Sequence, residues 1–350
     1  MNDFQSLIKW YKAHGRSLPW RISGNPYHIW LSEIILQQTR VEQGLPWYYA
    51  FVDRYPDVAD LAAASEDEVL KMWQGLGYYS RARNLRTAAI QVCEEFDGIF
   101  PGNPSDLQKL KGVGPYTAAA IASFAYNYHA PAVDGNLIRV ASRYFLIEEP
   151  VDKQSVLKLI HQLLLDAMTG LNSAEFNQAL MDLGSAICTP KKPKCQECPI
   201  SAGCGAREAN KTHDIPLKQS KTKVKELFIW YFIAKSEDKI LIRKREQKGI
   251  WQYMYDFPSV ESDKPMDFDE AFNLLFINEL STCQSCNVLP EKYEHILSHR
   301  KLNVRFAILW SKPFKTAPPL QWYDKESLEN LAIPRLIERV LTDYETQIWD

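Results

Sequence analysis

Two carboxylates stand out in this chain because their neighbours are the wrong kind for ordinary surface acids. Trp30-Leu31-Ser32-Glu33-Ile34-Ile35-Leu36 holds one acid inside an otherwise apolar helical run. If that face is buried, desolvation raises the acid's pKa and lets it keep a proton near neutrality, as a general acid must. On the solvated face of the same helix it is an ordinary glutamate. Asp134 follows Ala132-Val133 and precedes Gly135-Asn136. A second acid there can stay ionised and stabilise positive charge on a reacting sugar, the division of labour used in glycoside hydrolysis. It is equally well placed to cap a helix starting at Asn136.

Four of the seven cysteines, Cys188, Cys195, Cys198 and Cys204, follow one another at intervals of six, two and five residues within a short loop after a helix. Four thiolates at one point repel unless a cation holds them, so this spacing predicts a metal centre. Zinc and an iron–sulfur cluster both satisfy the ligand type. Cys283 and Cys286 form an isolated pair and Cys93 stands alone, and these read as plain thiols.

The acids need elements to hold them, and the stretch from Leu110 to Asn136 supplies one. Ser105 with Gln108 reads as a capping box, so a helix should begin there and stop at Gly112, where glycine tolerates positive φ. Pro115 fits the first turn of a second helix. Helix, hairpin Gly112-Val113-Gly114, helix is a phosphate grip, with free backbone N–H groups and the positive dipole end facing outward. A second loop, Gly75-Leu76-Gly77-Tyr78-Tyr79-Ser80-Arg81-Ala82-Arg83, joins backbone freedom to paired aromatics and two arginines. An aromatic tip of that kind can replace a base that leaves the stack, and it can equally be a core pair.

Up to about Arg207 the pattern is helical, with helices expected at 2–14, 27–43, 80–96, 136–146, 154–168 and 173–187 and a capped one after Ser65. Residues 209–223 read as a polar linker. Strands are expected at 224–234, 239–243, 293–297 and 303–310, with helices at 267–280 and 334–345. The fold class is a mainly α domain (1–208) followed by an α+β domain (224–350). A chain of 350 residues accommodates both. The net charge of −2 gives no general support to a nucleic-acid partner. Between Ala186 and Lys225, however, nine Lys or Arg face three acids, a surplus suited to phosphate or to a solvated linker. With 46% hydrophobic and 24% charged residues, no basic N-terminal start and no long apolar span, the expected home is the cytoplasm.

Taken together, these motifs resemble the adenine DNA glycosylases that remove adenine mispaired with 8-oxoguanine, within the helix-hairpin-helix superfamily that also contains endonuclease III. The resemblance rests on Trp30 to Thr39, Trp73 to Leu85, Leu110 to Thr117, Val133 to Asn136, Phe176-Asn177-Gln178 and the four cysteines. It implies a [4Fe–4S] cluster at Cys188, Cys195, Cys198 and Cys204. Glu33 would protonate the departing adenine and Asp134 would stabilise the cationic sugar, with Tyr116 and Asn136 supporting the sugar site. Trp20, Arg21 and Gln178 would line the adenine pocket. Gln38 and Tyr78 would wedge into the duplex, with Thr39 holding its backbone and Gly112, Val113 and Gly114 gripping phosphate. The implied partner is double-stranded DNA with an adenine:8-oxoguanine or adenine:guanine mismatch, bound by a monomer on the nucleoid.

One position divides the superfamily. Strand-cutting relatives carry a lysine two residues after the hairpin's second glycine, and here that residue is Tyr116, which cannot form an imine. A purely hydrolytic glycosylase is therefore expected; an endonuclease III-like glycosylase/lyase and a non-catalytic damage binder are the alternatives. The C-terminal part resembles the family's Nudix-like recognition domain through Gly249-Ile250-Trp251, Phe257-Pro258 and Leu297-Ser298-His299. Leu297 replaces a family phenylalanine, Ser298 and His299 are retained, and no glutamate-rich Nudix box is present.

Overall fold

The computed structural model describes residues 3–219, 225–275, 280, 283–297 and 300–349. Ser298 and His299 lie outside the described residues. The chain divides into two compact units, Met1–Ala64 with Asn84–Ser220 and Ser65–Arg83 with Lys221–Asp350.

The first unit is helical. Its elements are α1 (Asp3–His14), α2 (Pro19–Ser23), α3 (Pro26–Ile35), α4 (Val41–Arg54) and α5 (Val58–Ala63). Next come α6 (Glu66–Met72), which belongs to the second unit, and α7 (Ser80–Glu95), which begins there. The first unit continues with α8 (Pro104–Leu107), α9 (Pro115–Tyr126), α10 (Gly135–Tyr144), α11 (Gln154–Ala167), α12 (Ser173–Ala186) and α13 (Gly205–Glu208). Leu7, Ala120, Leu137, Phe176 and Leu180 share one core, which joins α1, α9, α10 and α12. The buried alanines 118, 119, 120 and 122 have little side chain to keep α9 from α3 and α12, so these helices pack closely.

Two local expectations are corrected. The single helix expected over 27–43 is two helices, because Gln38 takes φ of 58°, which an α-helix cannot carry through. Ahead of the hairpin, Asn103 rather than Ser105 is the cap: its side chain accepts from the Asp106 N–H at 3.0 Å and opens a single-turn helix. Gly112 has φ of 78° and Pro115 opens α9. A Cβ at Gly112 would lie 2.8 Å from Asn84 Cβ, so sterics and backbone conformation both demand glycine there.

The second unit is built on one sheet: β1 (Lys225–Ser236), β2 (Lys239–Lys244), β3 (Tyr255–Asp256), β4 (Ser259–Ser262), β5 (Ser285–Val288), β6 (Tyr293–Ile296), β7 (Arg300–Trp310) and β8 (Leu320–Tyr323). The order is β3-β2-β1-β7-β5, with β4 paired to β1, β6 to β7 and β8 to β2. The central β1–β7 pair is parallel, from Lys225 opposite Arg300 to Lys235 opposite Trp310. Helices α14 (Phe268–Asn273), α15 (Lys325–Glu329), α16 (Arg335–Asp343) and α17 (Glu345–Trp349) complete the unit. Ile229, Tyr231 and Ile233 pack with Leu336, Ile337 and Val340, while Trp230, Phe232 and Ala234 pack with Phe268 and Phe272. Both faces of β1 are covered, which is why its sequence is a continuous apolar run.

Ser65–Arg83 groups with the C-terminal residues through polar bonds. Lys244 Nζ reaches Asp67 Oδ1 at 2.9 Å, Arg83 Nη1 donates to the Gln252 carbonyl at 2.8 Å, and Lys71 Nζ donates to the Leu331 carbonyl at 3.2 Å. The residues up to Gln219 that were expected to be linker instead dock on the first unit. Val151 N–H donates to the Leu217 carbonyl at 3.0 Å, and Arg143 Nε donates to the Ile215 carbonyl at 2.9 Å.

Asp256 is fully buried and accepts from Arg245 Nη1 at 2.6 Å, Tyr231 Oη at 3.1 Å and Arg243 Nε at 3.2 Å. Removing one partner of a buried ion network costs about 3–5 kcal/mol, because the remaining charge stays buried. Asp256→Ala is therefore expected to lower the urea midpoint of the second unit by that equivalent, and an unchanged midpoint would refute the network's role.

Candidate active site

A cavity of about 620 Å³ opens in the first unit, within the roughly 300–1,000 Å³ typical of ligand pockets. Trp20 and Arg21 of α2, Glu33 of α3, Gln38 and Thr39 of the following loop, Tyr116 of α9, and Asp134 and Asn136 at the start of α10 line it. Eight residues singled out from sequence thus converge on one space. Gln178 is not among the lining residues; it is buried on α12, with its Oε1 accepting from Tyr11 Oη at 2.5 Å.

Tyr116 Oη donates to Glu33 Oε2 at 2.5 Å. Burial pushes the Glu33 carboxyl up to about 7, nearby Asp134 pushes the same way, and the tyrosine bond and Arg21 oppose it. The acid is thus half-protonated near neutrality, poised to give up a proton. Asp134 accepts from the Leu137 N–H at 2.7 Å and from Asn136 Nδ2 at 2.8 Å. It is therefore the cap of α10, as its sequence position allowed, and it still lines the cavity. Burial raises its pKa, while its hydrogen bonds from Leu137 and Asn136 pull it down. The N-terminal dipole of α10 favours the anion as well.

Asn177 holds the loop that carries Asp134, a role the sequence did not disclose. Completely buried, its Oδ1 accepts from the Ala132 N–H at 2.9 Å and its Nδ2 donates to the Ala130 carbonyl and to Ser123 Oγ, each at 2.9 Å. Asp182 was also missed, although an acid in the apolar run Ala179-Leu180-Met181-Asp182-Leu183 is the same signal that flagged Glu33.

The two wedge candidates share a backbone feature. Gln38 and Tyr78 have φ of 58° and 50°, a conformation that non-glycine residues adopt rarely and that costs free energy to hold. Tyr78 sits in the second unit, 46% exposed, with the Arg81 guanidinium 5.7 Å from its ring centroid. Arg81 Nη2 and Trp73 Nε1 both donate to the Gly77 carbonyl, at 3.1 and 3.0 Å, which fixes the loop just before the tyrosine.

Cys188, Cys195, Cys198 and Cys204 line one small cavity together with Arg143 and Arg207. Burial pushes the Cys198 thiol up to about 11, and the other three cysteines add to the rise. Such thiols ionise together only with a cation among them. Four cysteines around one cavity supply the four thiolates that an iron–sulfur cluster takes. When bound, the cluster would supply four cross-links within this loop.

That loop is tied to α10 by two arginines. Arg139 donates through Nε to the Cys188 carbonyl at 2.8 Å and through Nη2 to Asn136 Oδ1 at 2.8 Å and the Gly184 carbonyl at 2.7 Å. A Cβ on Gly184 would lie 2.8 Å from Asn136 Cβ, so only glycine allows α12 this close. Arg143, 2% exposed, bonds the carbonyls of Thr189 and Pro190 at 2.8 and 3.1 Å and lies 3.3 Å from Cys188 Sγ. Arg143→Ala removes these bonds and orphans the buried Ile215 carbonyl, and is expected to cost about 1–3 kcal/mol. The purified variant should melt lower and hold less iron; full iron content with an unchanged melting temperature would contradict this.

Comparison with known proteins accords with this geometry. Residues 31–164 match the HhH-GPD superfamily of base excision DNA repair proteins, 188–204 the iron–sulfur binding domain of endonuclease III, and 229–343 the NUDIX domain. An adenine DNA glycosylase of Buchnera aphidicola subsp. Acyrthosiphon pisum (strain APS) is 31% identical over 99% of this chain and 98% of its own. The Homo sapiens adenine DNA glycosylase is 29% identical over 98% of this chain and 74% of its own. Among solved structures, a thermostable thymine-DNA glycosylase aligns at TM-score 0.54 with 30% identity, covering 59% of this chain and 95% of that one. Endonuclease III bound non-covalently to DNA shares the fold at TM-score 0.50 and 20% identity, covering 59% of this chain and 94% of that one. The protein is a DNA N-glycosylase of base excision repair with a [4Fe–4S] site at the four cysteines. Likeness to curated relatives along almost the whole of both chains makes it a member of the adenine DNA glycosylase family.

Proposed function

We propose that this adenine DNA glycosylase acts on adenine opposite 8-oxoguanine or guanine, and that it does so by hydrolysis alone. The observation that carries the reading is the 2.5 Å Tyr116–Glu33 hydrogen bond in the same cavity as Asp134. Adenine is a poor leaving group as an anion. Protonation by the Glu33 carboxyl lets it depart neutral when the bond to the sugar breaks. Positive charge then grows on the sugar, and the Asp134 carboxylate, steadied by Leu137 N–H and Asn136, stabilises it until water completes the reaction. Trp20 and Arg21 wall the space for the flipped base.

The likeness to endonuclease III favours a second reading, a glycosylase that also cuts the strand. That chemistry needs an amine, and among the described residues those lining the cavity include arginines but no lysine. The wedge roles of Gln38 and Tyr78, the hold of Thr39 on the duplex backbone, the phosphate grip of Gly112-Val113-Gly114 and the inspection of 8-oxoguanine by Ser298 and His299 belong to the same proposal.

A duplex with adenine opposite 8-oxoguanine should lose free adenine and retain an intact strand until alkali is added, with no borohydride-trapped adduct. Glu33→Gln is expected to slow adenine release by about 10²–10⁴-fold, the usual worth of general acid catalysis. Efficient trapping would favour the lyase, release of thymine instead of adenine would overturn the substrate, and an undiminished rate for Glu33→Gln would remove Glu33 from the mechanism.

A further inference from the structure

Behind the cavity wall lies a buried carboxylate that the excision chemistry does not use. Asp182, on α12, is 2% exposed and receives four hydrogen bonds from two arginines. Its Oδ1 accepts from Arg16 Nε at 2.7 Å and Arg21 Nη2 at 3.0 Å; its Oδ2 accepts from the Arg16 backbone N–H at 2.9 Å and Arg21 Nη1 at 2.9 Å. Both arginines line the excision cavity. Asp182 itself does not; it faces a separate cavity of about 450 Å³ with Trp10 and His14.

We infer that Asp182 is a positioning residue of the excision site: from α12 it clamps Arg16 and Arg21 into the cavity wall and offsets the charge they would otherwise turn on Glu33. The inference rests on Glu33 being the acid. Arg16 and Arg21 share the cavity with Glu33, and positive charge there favours its anion, which cannot protonate a base. With its bidentate grip Asp182 offsets one of the two charges and denies Arg21 the freedom to swing toward Glu33. The other charged or titratable groups of the cavity are Arg40 and Glu42 at the start of α4, Tyr116 on α9 and Asp134 ahead of α10. Glu33 already responds to Arg21, which lowers its proton affinity against the larger effect of burial.

The test is a ¹³C NMR titration of the Glu33 carboxyl group in the full-length, cluster-loaded protein carrying labelled glutamate, with the resonance assigned by its loss in Glu33→Gln. The wild-type midpoint is expected near 7. Asp182→Asn should lower it by on the order of one unit. Asp182→Glu should restore it, and Asp182→Asn combined with Arg21→Gln should bring it back toward wild type. If Asp182→Asn fails to fold, Arg21→Gln alone reads the same coupling as an upward shift. Midpoints indifferent to both Asp182 and Arg21 overturn the inference. Adenine release by the wild-type protein, assayed in parallel, tests the glycosylase reading separately, because the titration needs no substrate.

Discussion

A carboxyl group that must hold a proton at neutral pH needs a place where its anion is poorly served, and the first unit is arranged around one such place. Glu33 sits in the apolar stretch at the end of α3, and its anion is served by the phenol of Tyr116 and, more weakly, by Arg21. Tyr116 is the pivot. Its hydroxyl donates to the Glu33 carboxyl at 2.5 Å. That hydrogen bond also stabilises the Glu33 anion, and burial outweighs it, pushing the carboxyl up to about 7. Asp134, close by, is raised by burial too, but a helix N-terminus and an asparagine serve its anion and pull the other way. Two similar side chains acquire different jobs from their surroundings.

The scaffold explains why the halves of the pair keep their places. Helix α9 carries Tyr116 and is packed closely through alanines; α10 begins at the second acid; α12 supplies Asn177, which braces the approach to Asp134, and Gly184, which lets α10 come near. From Asp134 a chain of hydrogen bonds runs through Asn136 and Arg139 to the carbonyl of Cys188. The cysteine loop and the acid are therefore parts of one continuous polar structure along α10, and order in one supports order in the other.

Much of this was legible in the sequence, and the reasons are specific. An acid in an apolar helical run, an acid before Gly-Asn, a glycine hairpin followed by proline and four closely spaced cysteines each carry a local signal. The long strands β1, β2 and β7 were legible too, because β-branched and aromatic residues crowd them. The residues that escaped act at a distance. Asn177, Arg139 and Arg143 look unremarkable in their own helices, Asp182 carries only the general signal of an acid in an apolar run, and the fold alone discloses which carbonyls and guanidinium groups they meet. Short strands such as β3 and β4 owe their existence to the neighbours they pair with and not to their own composition. The break at Gln38 was invisible because a glutamine with positive φ is held there by context, against its own preference.

If base release depends on a proton held by Glu33, the single-turnover rate of adenine release must follow that proton as pH changes. Because burial raises the Glu33 pKa to about 7, the acid is protonated below that pH and lost above it. The rate is expected to be flat on the acid side and to fall as pH rises through about 7, with that fall absent from the residual activity of Glu33→Gln. A rate that rises through this range, or the same fall in the glutamine variant, would contradict it.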